Sequence, residues 1–353
     1  MRPKPLRIPP SLLLALTLST LGLSSTPAAQ AQRRPQNDQA QPAQNSPKGT
    51  VLRPTPIYID GDDHSEKLST ITPGRELALL SGDPSAAPTT WLRVYANIDE
   101  TQSPNDHNQP VFTDRAAEQP ISGWIQARNL VATTTPNGQA ILFGQAIASE
   151  QAASSPHPPP TAALDARRLY GMSAQLFPKG PRTAEALWRA ADIRWQLEKE
   201  DASTLPSAHE KEAYLRQQPD DAEMKYLQQQ YPGSQWASFA AYALIDVKLC
   251  GDWQGSEQCP EKEASYYGQF AAKYPQSPRA PLALYETAWR LACAGDMWAS
   301  DNNDKRSTDD RNQSVDTAQH LLTTYPNTNE AARAASLIYK VQHGIPVYGS
   351  DLE

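Results

Sequence analysis

Nucleophilic, metal and acid–base chemistry each needs particular side chains at particular spacings, and this chain offers few of them. Its histidines are His64, His107, His157, His209, His320 and His343. None belongs to an H-x-x-x-H or H-E-x-x-H pair, the helical spacing that brings two imidazoles onto one metal. The cysteines, Cys250, Cys259 and Cys293, make no C-x-x-C pair of the kind that binds zinc or exchanges electrons. Cys293 as nucleophile with His320 as base is the one thiol–imidazole dyad to weigh. Its neighbours Leu291, Ala292 and Trp298 instead describe a buried small apolar residue. Asp60-Gly61-Asp62-Asp63 and Asp301-Asn302-Asn303-Asp304 carry oxygen ligands suited to calcium, yet neither continues to the bidentate glutamate that completes such a loop, and each reads as solvated turn. A Gly-x-Ser-x-Gly elbow and a glycine-rich phosphate loop are also missing. The expectation is a chain that is not an enzyme and uses no cofactor and no metal.

What remains is the chemistry of binding, in which a few aromatic and arginine anchors do most of the work. Trp188, Tyr242 and Tyr285 each stand ten residues after a recurring proline, and Arg189, Arg194 and Arg290 follow on the same segments. The aromatics read either as a ligand-lining stripe or as packing between helices. The arginines suit an acidic partner or a carboxylate, as would other surface arginines. Nearer the N-terminus, Tyr58, Tyr95 and Trp124 are candidate exposed aromatics, with Trp91 and Trp124 also expected to serve as core. The net charge of −7 becomes more negative once a basic leader is removed, which argues against nucleic acid, a ligand held by basic patches.

Elements must position these residues, and the order of segments is legible. Arg2, Lys4 and Arg7 precede an almost wholly apolar run at 11–23, followed by Ala29-Gln30-Ala31, so residues 1–31 are expected to be a cleaved secretory signal. As a helix that run reaches about 20 Å, short of the roughly 30 Å hydrocarbon core, and no transmembrane segment is expected in the mature chain. An uncleaved anchor is the alternative. The first cysteine is Cys250, so a lipidated N-terminus is not expected. Residues 32–49 are mostly Gln, Pro, Asn and Ala and read as a disordered tether. In an oxidising compartment three cysteines permit one disulfide. Cys250 and Cys259, in a glycine-containing stretch able to double back, are the favoured pair over pairings with Cys293.

Residues 50–133 alternate short β-rich runs with turns: Thr55-Pro56-Ile57-Tyr58-Ile59, a Pro73-Gly74 turn, Glu76-Leu77-Ala78-Leu79-Leu80, Trp91-Leu92-Arg93-Val94-Tyr95, and Gly123-Trp124-Ile125. Strands of this length read as a small barrel or sandwich. Residues 134–162, ending in Pro156-His157-Pro158-Pro159-Pro160, read as a stiff proline-rich linker between two independent units.

Residues 163–345 repeat themselves. Phe177-Pro178, Tyr231-Pro232, Tyr274-Pro275 and Tyr325-Pro326 are each followed two residues after the proline by Gly180, Ser234, Ser277 or Thr328. Five residues on stand Thr183, Ala237, Ala280 and Ala331, and eight on Ala186, Ala240, Ala283 and Ala334. Proline ends one helix, the hydroxyl residue caps the next, and small residues three apart on one face let a neighbouring helix approach closely. Helical hairpins stacked into a solenoid are expected, with the polar stretches 200–209, 251–262 and 300–313 as loops and 346–353 as a tail.

The run from the apolar opening strand to the closing Gly123-Trp124-Ile125 resembles the bacterial SH3-like domain family over about eighty residues, departing from it in a long polar insertion at 97–120. The pattern Tyr-Pro-x-Ser-x-x-Ala-x-x-Ala resembles the tetratricopeptide units of periplasmic proteins in outer-membrane assembly and of the Tol-Pal coordinator family. Together these resemblances imply a multidomain chain, a small all-β SH3-like barrel plus an all-α tetratricopeptide-like helical repeat domain. The implied function is a periplasmic or secreted adaptor. Its barrel would bind peptidoglycan or a peptide, and its helical repeats would dock an envelope protein. An accessory cell-wall hydrolase with a cryptic site, or a purely structural subunit of an envelope assembly, are the rival readings.

Overall fold

The computed structural model describes residues 42–348 apart from 44, 85–86 and 100–117. The expected signal at 1–31, most of the tether, His107 with most of the polar insertion, and residues 349–353 lie outside the described residues.

Seven strands come first: β1 (Lys48–Val51), β2 (Thr55–Tyr58), β3 (Lys67–Ile71), β4 (Glu76–Ser81), β5 (Trp91–Asp99), β6 (Glu118–Gln126) and β7 (Leu130–Ala132). They form one sheet in the order β3-β2-β6-β5-β4-β1-β7, each neighbouring pair antiparallel. The sheet is curled, because Ile57 and Ile71 at one edge share a single core with Val51 and Leu130 at the other. Period-2 alternation sets its two faces. Leu92, Val94 and Ala96 point into that core, while Trp91, Arg93 and Tyr95 stand half-buried on the outer face. Trp124 is half-buried as well, so neither tryptophan is the core residue that the sequence implied. Glycine at 123 is required by close approach, since a Cβ there would lie 2.5 Å from the Tyr58 carbonyl oxygen.

Nine helices follow among the described residues: α1 (Gly138–Ala153), α2 (Ala162–Leu176), α3 (Thr183–Ser203), α4 (Ala222–Gln230), α5 (Gln235–Asp246), α6 (Gln258–Lys273), α7 (Ala280–Ser300), α8 (Asp304–Thr324) and α9 (Asn329–Gln342). The aromatic of every aromatic-proline pair is a helix C-cap. Phe177, Tyr231, Tyr274 and Tyr325 end α2, α4, α6 and α8 with φ between −125° and −132° and ψ between 50° and 63°. That uniformity follows from the proline, which excludes the helical region for the residue before it. Ser234 and Thr328 then cap α5 and α9, their hydroxyls accepting from the amides of Ala237 and Ala331. Ser277 instead accepts from Arg279, just before α7. The eight residues of the five-on and eight-on columns are all buried, from Thr183 and Ala186 to Ala331 and Ala334.

Several expectations are corrected. Within the expected linker 134–162, residues 138–153 are the helix α1, and its Leu142 and Phe143 are buried against Leu169, Tyr170 and Ala186. Val131 of β7 lies in this same helical core. The Pro73-Gly74 turn also touches α2: Gly74 has φ +75°, and a Cβ there would come within 2.5 Å of Arg168 Cβ. Arg168 donates to Thr72 at 3.2 Å and Gln175 to Glu76 at 2.8 Å, so sheet and helices are joined rather than tethered. The loops expected over 200–209, 251–262 and 300–313 are partly helix, as α3 runs to Ser203, α6 starts at Gln258 and α8 at Asp304. The first half of α8 buries Ser307, Asp310 and Ser314, polar residues that leave no hydrophobic period to read. Tail residue Val347 is only 4 % exposed and belongs to the core of α5 to α9.

Candidate functional site

The candidate site is a groove of about 620 Å³ on the helical part, lined by α7, by Glu263 of α6, by Arg333 of α9, by the Cys250 loop and by Tyr348. On α7, Tyr285 and Trp289 stand four residues apart, as do Glu286 and Arg290, so two adjacent stripes of one helix face the opening. Cys250 and Cys259 lie at disulfide distance with Cα atoms 6.1 Å apart, matching the favoured pairing. Between them the chain doubles back and carries Trp253 over Trp289, ring centroids 5.4 Å apart.

Glu263 organises the floor. Only 2 % exposed, it accepts from the Cys250 amide at 2.8 Å, from the Trp253 indole Nε1–H at 3.1 Å and from Arg290 Nε at 2.8 Å. One carboxylate thereby fixes the loop, its tryptophan and the arginine. Arg290 also pairs with Glu286, and its guanidinium lies 4.4 Å above the Tyr267 ring and 5.5 Å from that of Trp289. Burial works against its charge, but Tyr267, Glu263 and Glu286 outweigh burial and hold its pKa above the ordinary value. Burial raises the Tyr267 phenol to about 12 although Arg290 opposes the shift. Burial likewise raises Tyr285, against whose ring Arg333 stacks at 3.9 Å.

Of the residues singled out in the sequence, Tyr285 and Arg290 meet in this groove. The others lie elsewhere. Trp188 packs edge-on against Phe239 at 5.7 Å, and Tyr242 packs on Phe270 at 5.2 Å, so both serve helix packing. Tyr242 also borders a second hollow of about 540 Å³ with Asp192, whose carboxyl is raised by burial. Arg189 joins Glu150 of α1 to Glu185, and Arg194 gathers Glu198, Asp220 and Glu223. Each arginine is thus spent on pairs within the chain, where the sequence had offered it to a partner.

On the sheet, Tyr58 meets Trp91 edge-on at 5.6 Å beside a hollow of about 130 Å³, and Trp124 pairs across the strands with both Tyr58 and Arg93. Tyr95 sits further along β5, opposite Ser122. Asp62 and Asp63 bracket exposed His64 at 3.0 and 2.9 Å, and these hydrogen bonds and charges lower the Asp62 carboxyl and raise the imidazole. The other acidic run forms the turn into α8, where the Asn303 side chain accepts from the Arg306 amide. Cys293 is fully buried, whereas His320 is exposed and bonded to Thr324 at 3.3 Å.

Sequence reasoning missed Glu263, Trp253, Trp289, Arg333 and Tyr348. A tryptophan inside a nine-residue cysteine spacing was the available signal, because a loop that short has little room to bury it. A scan against protein-family models and a search of curated proteins found no match to this chain.

Proposed function

We propose that this protein is an exported, non-enzymatic adaptor of the cell envelope. On this reading the curled sheet is a bacterial SH3-like barrel that binds cell wall or peptide, and the hairpins are tetratricopeptide-like repeats that dock an envelope protein. The groove supports the reading best. Its charged floor is internally neutralised and its walls are aromatic faces, the composition from which binding hot spots are made. An oxidising compartment agrees with the cysteine pair at disulfide distance. No described helix is long and apolar enough to cross a membrane.

The test uses the full chain, immobilised. It is expected to retain an envelope protein from an extract, and Trp289→Ala is expected to weaken that capture at least about tenfold with helicity unchanged. Co-sedimentation with sacculi reads the barrel's share. Incubation with peptidoglycan is expected to release no soluble fragments. Fragment release abolished by Cys293→Ser would overturn the adaptor reading in favour of a hydrolase.

A further inference from the structure

The groove is not empty of the chain's own side chains. After α9 the backbone turns at Gly344 with φ +64°, and Ile345 donates to the Lys340 carbonyl at 2.9 Å, a glycine-terminated helix end. Pro346 stops any continuation, and Val347 enters the core. The amides of Val347 and Tyr348 then both donate to Asp296 Oδ2, at 2.6 and 3.2 Å, and Arg311 holds the other oxygen of that carboxylate at 2.8 Å. This anchorage delivers Tyr348 to the groove. Its ring stacks on Trp253, centroids 6.3 Å apart and planes 23° apart, while 38 % of the residue remains exposed. The backbone is therefore fixed by a buried valine and a paired carboxylate, whereas the ring's one aromatic contact among the described residues is the stack on Trp253 at the rim.

The charges of the groove point the same way. Arg290 is satisfied by Glu263 and Glu286. Arg333 is exposed, stacked on Tyr285, and has no carboxylate within ion-pair distance among the described residues. An aromatic platform already covered by a tyrosine from an extended segment thus lies beside a cation that has no anion among the described residues.

We infer that the groove takes an extended peptide segment whose aromatic side chain stacks on Trp253 and whose nearby carboxylate pairs with Arg333, and that Tyr348 is the chain's own occupant of the aromatic position, displaced on binding. This rests on the binding reading above and adds the chemistry of the ligand. A tethered occupant competes at high effective concentration and lowers apparent affinity by the fraction of time the position is open.

The probe is a synthetic peptide of the sequence of residues 345–351, Ile-Pro-Val-Tyr-Gly-Ser-Asp, blocked at both ends and titrated into the full chain with tryptophan fluorescence as the readout. The Tyr348→Ala chain is expected to bind it about tenfold tighter than the wild type, a ratio set by a single stacking contact. Tyr348→Phe, which keeps the ring, is expected to behave as wild type and controls for folding. Replacing the peptide's tyrosine by alanine is expected to abolish binding to the Tyr348→Ala chain. Arg333→Ala is expected to weaken binding of the aspartate peptide about fivefold and to leave an asparagine peptide unaffected. Equal affinity of wild type and Tyr348→Ala, or binding indifferent to the peptide's tyrosine, overturns the inference. If the chain captures an envelope protein in a Trp289-dependent way that ignores Tyr348, the adaptor reading stands and this one falls. If it captures nothing yet binds the peptide as described, the reverse holds.

Discussion

Glu263 and Arg290 show how much a single residue's role depends on what surrounds it. Both are nearly buried, and each satisfies the other while holding the loop and the aromatic walls. Removing one partner of such a pair leaves an uncompensated buried charge, which typically costs about 3 to 5 kcal/mol. Arg290→Ala is therefore expected to lower stability to denaturant by that order and to loosen Trp253, seen as a shift in tryptophan emission. Asp310 makes a second case, between α8 and α6. Burial first, then the negative charge of Glu261 and a hydrogen bond to it, lift its carboxyl from 3.8 to about 7; Arg306 opposes the shift and Asp309 adds to it. The folded chain thus keeps a proton that the unfolded chain has lost above pH 4. Its stabilising contribution is complete below that point and disappears as pH rises through about 7. Tm measured at pH 5 and pH 8 should reveal this loss, and Asp310→Asn should flatten it. None of these partnerships was legible in the sequence, because an arginine on an amphipathic segment looks alike whether its carboxylate comes from the next helix or from another molecule.

Elements were legible where one local cause fixes them. Proline restricts its predecessor and small residues must face a neighbour, so the aromatic-proline turns and the alanine columns fall where the spacing places them. Ala240 has no exposed surface, and Ala240→Leu is expected to cost about 1 to 3 kcal/mol by overpacking, measured as a lower Tm of the helical signal. Helix α1 escaped notice for the opposite reason. Prolines at both ends of residues 134–162 dominate that composition, while its few apolar side chains, Leu142 and Phe143 among them, make sense only against α2 and α3. The start of α8 was hidden by its polar buried face.

At the scale of the whole molecule, sheet and helices share material at several points. Val131 belongs to the helical core, and the Gly74 turn is pressed on Arg168. Gly74→Ala is expected to strain a left-handed turn and to push against α2, a cost of about 1 to 3 kcal/mol. The change should lower the transitions of the β and helical signals together, since the contact it disturbs lies between them. Separate transitions, with only the β signal affected, would mean that the two parts unfold on their own. The ends of the polar insertion expected at 97–120 are strand rather than loop, since β5 runs to Asp99 and β6 starts at Glu118, with Asn97 opposite Pro120.

The four identical helix ends have a consequence for how the chain can change length. Each hairpin turns at Phe177, Tyr231, Tyr274 or Tyr325, while the stretches between hairpins range from residues 204–221 down to the three residues 301–303. Added residues should be tolerated at 204–209 but not beyond, because from Lys211 on the stretch is fixed to the Cys250 loop: the Lys211 carbonyl accepts from the Gly251 amide and Lys211 Nζ donates to the Gln254 carbonyl, each at 2.9 Å. A single residue inserted between Pro232 and Ser234 would turn α5 by about 100° and carry Ala237 and Ala240 off the surface they share with their neighbours. An insertion scan read by cellular abundance should therefore find tolerance at 204–209 and sharp intolerance within each aromatic-proline turn, giving the chain a fixed grammar with words of variable length.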